Sequence, residues 1–167
     1  RVRGSLASRL VLVGEGEDLA VLRGMARKLQ VGADVAFLGF QSNPYKYMAR
    51  ADAFVLPSLW EGFGLVLVEA LAAGAPVIAT RCPSGPEEIV TDGVDGLLVP
   101  PADSDALADA IINVVTSPTL AHKLSEAGRR RADEFQVERA VARYQNLFRS
   151  TLAQRRAGAG EGGADRE

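Results

Sequence analysis

The stretch from Ala53 to Thr80 leaves this chain few ways to fold. Ala53–Leu56 is a short apolar run closed by Pro57 and Ser58, the pattern of a strand covered on both faces. A loop follows, Leu59-Trp60-Glu61-Gly62-Phe63-Gly64, and then Leu65–Ala73, a run of good helix formers stopped by Gly74 and Pro76. Pro76–Thr80 is a second buried strand. Strand, glycine loop, helix and strand within so few residues is the layout of a parallel crossover unit.

The helix of that unit is apolar on nearly every face, so it is expected to be buried all round. Its one ionisable side chain is Glu69. Burying even a neutral polar group without a partner costs about 2 to 7 kcal/mol, so Glu69 must be paired, protonated or turned to a cleft. Gly62 and Gly64 let backbone N–H groups converge at the helix N-terminus, a ready place for a phosphate or diphosphate. Carboxylates do not bind phosphate, but they accept hydrogen bonds from hydroxyls. Glu61 at the mouth of the loop and Glu69 farther along the helix therefore suit hydroxyl groups on either side of a diphosphate, a ribose and a sugar.

The rest of the chain repeats the alternation. Arg9–Val13 is a strand running into Gly14-Glu15-Gly16, and a helix is expected from Glu17 to Leu29. The third glycine of a dinucleotide fingerprint is replaced by Leu19, which argues against a nicotinamide or flavin site. Val35–Gly39 is the next strand, and Asn43-Pro44 opens a short helix to Arg50 in which Tyr45, Tyr47 and Met48 serve as packing. After Thr80, Arg81–Pro86 is a stiff loop. Its Cys82 is a small buried or cleft-lining thiol, and Ser84 suits a turn or an anion contact equally. Gly96–Val99 is the last strand. Asp103 or Ser104 caps a helix to Thr116, a second helix covers Leu120–Phe135 with His122 solvated on it, and a third runs from Val137 to Leu152. Five short strands alternating with helices predict an α/β fold, a Rossmann-like parallel sheet with helices on both faces. Ligands of such sheets sit beyond the carboxyl ends of the strands, where Gly14, Gly39, Glu61 and Cys82 would gather.

Composition narrows the partners. A net charge of −2 over 167 residues offers no electrostatic case for nucleic acid. No apolar run approaches the ~20 residues that span a bilayer. Cys82 is the only cysteine, which precludes an intrachain disulfide and fits a reducing, cytoplasmic setting. No metal-ligand cluster is legible, so no metal and no cofactor beyond a substrate nucleotide-sugar are expected.

Glu61 and Glu69 bracket seven residues in EGFGLVLVE, and together with LVLVGEGE, VAFLGF, CPSGPEEIV, DGVDGLLVPP and DSDALADAI they resemble one family. The chain from about Arg9 to Leu152 is similar to the C-terminal, donor-binding half of GT-B fold retaining glycosyltransferases of the group called GT4, whose signature is E-x7-E. The resemblance implies transfer of a sugar from a UDP- or GDP-linked donor to an acceptor hydroxyl. It gives Glu61 the catalytic role of orienting and supporting the transferred sugar and gives Glu69 the ribose. Gly62, Phe63, Gly64 and Leu65 would meet the diphosphate, and Gly14, Gly16, Phe37, Leu38 and Gly39 would face the nucleotide. The alternatives are a catalytically silent GT-B-like binding or scaffold fragment, or another GT-B enzyme, an epimerase or a phosphorylase. A phosphorylase of this architecture needs a cofactor lysine, and Lys28, Lys46 and Lys123 all lie outside the glycine-rich core.

The same resemblance implies that the domain, residues 1–152, is truncated. Such domains start with one further strand and a basic loop, and that first strand is the central one of the sheet, between the Arg9 and Ala53 strands. The chain alone would be inactive and poorly stable without it and without the N-terminal acceptor domain, through which any peripheral membrane contact would come. Residues 153–167 lack the apolar content to order them and are expected to form a disordered tail.

Overall fold

The computed structural model describes residues 1–161, with side chains through Arg155. It divides into two units, Arg1–Ala132 and the segment from Asp133 onward. In the first unit the order is α1 (Val2–Ser5), β1 (Leu10–Leu12), α2 (Leu19–Lys28), β2 (Val35–Phe37), α3 (Tyr45–Met48), β3 (Phe54–Leu56), α4 (Leu65–Ala73), β4 (Val77–Thr80), α5 (Pro86–Ile89), β5 (Leu97–Val99), α6 (Ser104–Thr116) and α7 (Pro118–Ala132). The second unit carries α8 (Val137–Glu161).

All strand pairs are parallel, as crossover helices between them require. They form two sheets rather than one. β1 pairs with β2, Val11 opposite Ala36, and β3-β4-β5 form the other, with Val55 opposite Ile78 and Ala79 opposite Leu98. No strand pairing joins the two sheets among the described residues.

The core lies in the three-stranded half. β4 is buried at every residue, and Ile78, Val99, Val114 and Leu124 form one cluster with Leu97, Leu107, Ile111 and Leu120 packed against it. Gly128 lets α7 approach α4 closely, since a methyl group there would stand 2.7 Å from Leu71 Cδ2. Leu67, Ala70 and Leu71 of α4 are buried, but Leu65 is 61% exposed and Ala72 is exposed too. This corrects the expectation of a helix buried all round: α4 packs one face inward, and no element of the described residues covers the face of Leu65 and Ala72.

Helix ends follow local chemistry. Asp103 accepts from Asp105 N–H at 3.0 Å and Ala106 N–H at 2.9 Å, which caps α6. Pro118 opens α7, where its missing N–H costs nothing. Ala75 N–H bonds back to Ala70 C=O at 3.0 Å, closing α4 after Gly74. α8 continues past Leu152 to Glu161, into the stretch expected to be tail, and residues 162–167 of that stretch lie outside the described residues.

Candidate functional site

The loop after β3 is held from several sides. Ser58 Oγ donates to Glu61 Oε1 at 2.6 Å, a charge-assisted bond, and Thr80 Oγ1 at the end of β4 donates to the Ser58 carbonyl. Ser84 Oγ lies 2.7 Å from the Glu61 carbonyl oxygen. Glu61 is thereby fixed at its carboxylate and at its main chain. Gly64 then takes φ +82°, a left-handed turn that favours glycine, and α4 starts immediately after it with no side-chain cap. A helix N-terminus without a cap presents its first N–H groups to whatever anion approaches.

Glu69 is half-buried, on the turn of α4 next to exposed Leu65 and Ala72. Its Oε1 accepts from the Tyr45 hydroxyl at 3.3 Å. The charge on Glu69 and this hydrogen bond raise the Tyr45 phenol above its ordinary value of 10.0. Among the described residues no cationic side chain pairs with Glu61 or Glu69. An ionised carboxylate accepts about four hydrogen bonds, so each keeps capacity for ligand hydroxyls. Tyr45, read from the sequence as packing, is 48% exposed and reaches from α3 to α4.

The second group stands at the carboxyl ends of β1 and β2. Gly14 N–H donates to Gly39 C=O at 2.9 Å, and Phe40 N–H donates to Glu15 Oε1 at 3.3 Å, so the two loops are tied together. Leu38 N–H is taken by Leu12 C=O, and Leu38 C=O accepts from Gln41 Nε2 at 3.0 Å. Phe37 turns its ring to α2, with the Arg23 guanidinium carbon 5.5 Å from its centre. Any contact from Phe37 to a ligand on the loop side would come from its main chain. Gly16 is engaged elsewhere, its carbonyl accepting from Leu19 N–H at the start of α2.

The structure thus brings Glu61, Phe63 and Gly64 together with Ser58 and Ser84, joins Glu69 to Tyr45, and joins Gly14 to Gly39. No hydrogen bond links the β1-β2 group to Glu61 or Glu69 among the described residues. The sequence reading missed Ser58, Glu15 and Tyr45. Only Ser58, three residues before Glu61 in a turn, carried a local signal. Cys82 is buried and His122 is exposed, as read. An open depression of about 240 Å³ lies between α2 and β2, lined by Arg23, Arg27 and Phe37 among others, and includes neither acid. Among the described residues no group of three or more His, Cys, Asp or Glu could hold a metal ion, and no helix is long and apolar enough to cross a membrane.

Comparison with known proteins gives this geometry a context. An exopolysaccharide phosphotransferase of Streptomyces coelicolor is 35% identical over 148 residues, covering 88% of this chain and 16% of that protein. Sucrose-phosphate synthase of Thermosynechococcus elongatus superposes with TM-score 0.80 at 32% identity, over 92% of this chain and 41% of its own. Anabaena HepE, solved in complex with UDP-glucose, superposes with TM-score 0.74 at 29% identity, over 87% of this chain and 41% of its own. The chain therefore spans less than half the length of each. The family model described as glycosyl transferases group 1 matches residues 7–131, from before β1 to the end of α7 and across both groups of loops. With its parallel strands, crossover helices and ligand-side loops all inside that match, the chain belongs to the group 1 glycosyl transferases and has their GT-B type of α/β fold.

Proposed function

We propose that the chain is the nucleotide-sugar-binding half of a retaining glycosyltransferase of the GT4 type, which moves a sugar from a UDP- or GDP-linked donor to an acceptor hydroxyl. One observation carries the reading: two half-buried carboxylates, neither paired with a cation among the described residues, stand before and along a helix whose glycine-started N-terminus has no cap. The likeness to HepE, solved with UDP-glucose, supports a nucleotide-sugar as the donor.

In this reading the diphosphate lies at the N-terminus of α4 and takes the amides of the Gly62–Leu65 turn. Glu61, already oriented by Ser58, accepts hydrogen bonds from the transferred sugar. Glu69 accepts the ribose hydroxyls, and the Gly14, Gly16 and Phe37–Gly39 main chain borders the base. As the bond from sugar to diphosphate breaks, the acceptor oxygen attacks from the same face and its proton passes to the departing diphosphate oxygen. Amides aimed at that oxygen stabilise the growing charge, and one such donor contributes about 2.7 to 4 kcal/mol to a barrier. The acceptor site would come from an N-terminal domain, and a strand between β1 and β3 from the start of the donor domain itself, so the chain alone would not transfer sugar.

Calorimetry with UDP, GDP and ADP on the chain joined to its upstream reading frame tests this. One of the three should bind, and Glu69→Ala should weaken it by about 10- to 100-fold, the loss of hydrogen bonds to a charged group. Binding of none would point to a scaffold instead. Affinity indifferent to Glu69→Ala would remove the ribose role.

A further inference from the structure

The loop after β4 is built against the Glu61 loop in a way that turn formation alone does not explain. Ser84 takes φ +58° and Gly85 takes φ +76°, two positive-φ residues in succession. Glycine adopts that region freely, whereas serine does so against its Cβ. Ser84 nonetheless stands there, and its hydroxyl reaches the Glu61 carbonyl, 23 residues away in sequence, at 2.7 Å. The same hydroxyl lies 2.8 Å from the Pro83 carbonyl, so its one proton is shared between a neighbour and a distant loop.

Gly85 is required for a separate reason. It is buried, and a methyl group on it would sit 2.7 Å from the Phe63 carbonyl carbon and closer still to the oxygen. The backbone of this loop is therefore seated directly on the backbone of Glu61–Phe63. The seat is braced from behind: Arg81 bonds Glu87 Oε1 at 2.7 Å and Asp92 Oδ2 at 2.9 Å. β4 supplies the other hold as well, because Thr80 Oγ1 bonds the carbonyl of Ser58, whose hydroxyl bonds the Glu61 carboxylate.

We propose that Ser84 is a positioning residue for Glu61 and the Phe63–Gly64 turn, fixing from the end of β4 the carboxylate and amides that meet the sugar and the diphosphate. The effect on ligand rests on the donor-site reading above; the effect on the loop does not. Without the hydroxyl the Glu61 main chain loses its only long-range side-chain donor among the described residues, and the carboxylate keeps Ser58 but on a looser backbone.

Ser84→Gly separates this role from turn formation, because it removes the strain and the hydroxyl together. The experiment uses the chain joined to its upstream reading frame, with Ser84→Gly and Ser84→Ala, and reads three quantities. These are melting temperature, amide hydrogen exchange in peptides covering residues 59–66 without ligand, and the ratio of UDP to UDP-glucose dissociation constants. For Ser84→Gly the expectation is an unchanged or higher melting temperature, faster exchange at 61–64, and a two- to tenfold loss, about one hydrogen bond's worth, of the preference for UDP-glucose. Ser84→Ala should show the same loosening with a lower melting temperature. If Ser84→Gly leaves exchange and ratio as in the parent, Ser84 is a turn residue and the proposal is overturned. A parent that binds none of UDP, GDP and ADP would count against the donor-site reading, whereas one that binds GDP or ADP would be read with that nucleotide and its glucose derivative, and without any binding the exchange result alone decides the role of Ser84.

Discussion

The two halves of the first unit are made of similar strands and packed very differently. In β4, Val77, Ile78 and Ala79 are fully buried and Thr80 nearly so, whereas in β1 Leu10 is 51% exposed and Val11 41%. The helices follow their sheets. α4, α6 and α7 bury Leu67, Leu71, Val114 and Leu124, while α2 leaves Val21 58%, Met25 52% and Leu22 41% exposed. The strands are equally apolar, so composition does not account for the contrast. The difference is cover: β4 has a strand on each edge and β1 has one on a single edge. Both acids belong to the well-packed half. A binding group is held more precisely on a well-packed part of a fold than on a loosely covered one.

The largest test of this contrast is a matched pair of truncations. Leu71→Ala should cost about 2 to 5 kcal/mol by urea unfolding, since it empties a site closed by Gly128. Leu10→Ala in the same chain should cost less than about 0.5 kcal/mol. Repeating Leu10→Ala in the chain joined to its upstream sequence sharpens the comparison. If a strand fills the space between β1 and β3, the cost should rise to at least about 1 kcal/mol as Leu10 loses its exposure. Equal costs in both contexts would mean that the break in the sheet is a property of the complete protein.

A smaller effect separates the halves at their helix starts. Asp103 caps α6 with two hydrogen bonds, while Asp18, at the same place before α2, makes no side-chain cap bond. Asp103→Ala should therefore destabilise by about 1 kcal/mol and Asp18→Ala by a few tenths at most, read from the same unfolding curves.

Sequence legibility divides along the same line. The unit from Ala53 to Thr80 was readable because its determinants are local: apolar runs of strand length, Gly64 and Gly74 at the helix ends, Pro57 and Pro76 as punctuation. The Asp103 cap was readable for the same reason. What could not be read depends on distant partners. Apolar Leu65 and Ala72 look identical in sequence whether or not an element covers them, so α4 was expected to be buried all round. The bonds from Ser84 to Glu61, Phe40 to Glu15 and Tyr45 to Glu69 span more than twenty residues and leave no periodic trace. The continuation of α8 beyond Leu152 rests on a different property. Low apolar content speaks against order there, but Leu152-Ala153-Gln154-Arg155 are good helix formers and extend a helix without any core to bury.

The smallest effect bears on the hydrogen bond that ties α3, the element following the loosely covered β2, to the acid on α4. Tyr45 should titrate above 10.0, because ionising it would place a second negative charge beside Glu69 and abolish the donated hydrogen bond. The sign follows from that raised value. The folded state holds the phenolic proton more tightly than the unfolded chain, so the bond's stabilisation is complete below pH 10 and is lost as pH rises through the raised value. Absorbance titration of the phenolate, with Tyr45→Phe as the blank, should place Tyr45 above an ordinary tyrosine, and Glu69→Gln should return it toward 10.0. If ribose hydroxyls donate to Glu69 as proposed above, saturation with the nucleotide should move it as well, because the carboxylate is then shared between the phenol and the ribose. A Tyr45 that titrates normally and ignores both changes would mean that the phenol and the carboxylate do not meet in solution, and the link from α3 to Glu69 would be lost.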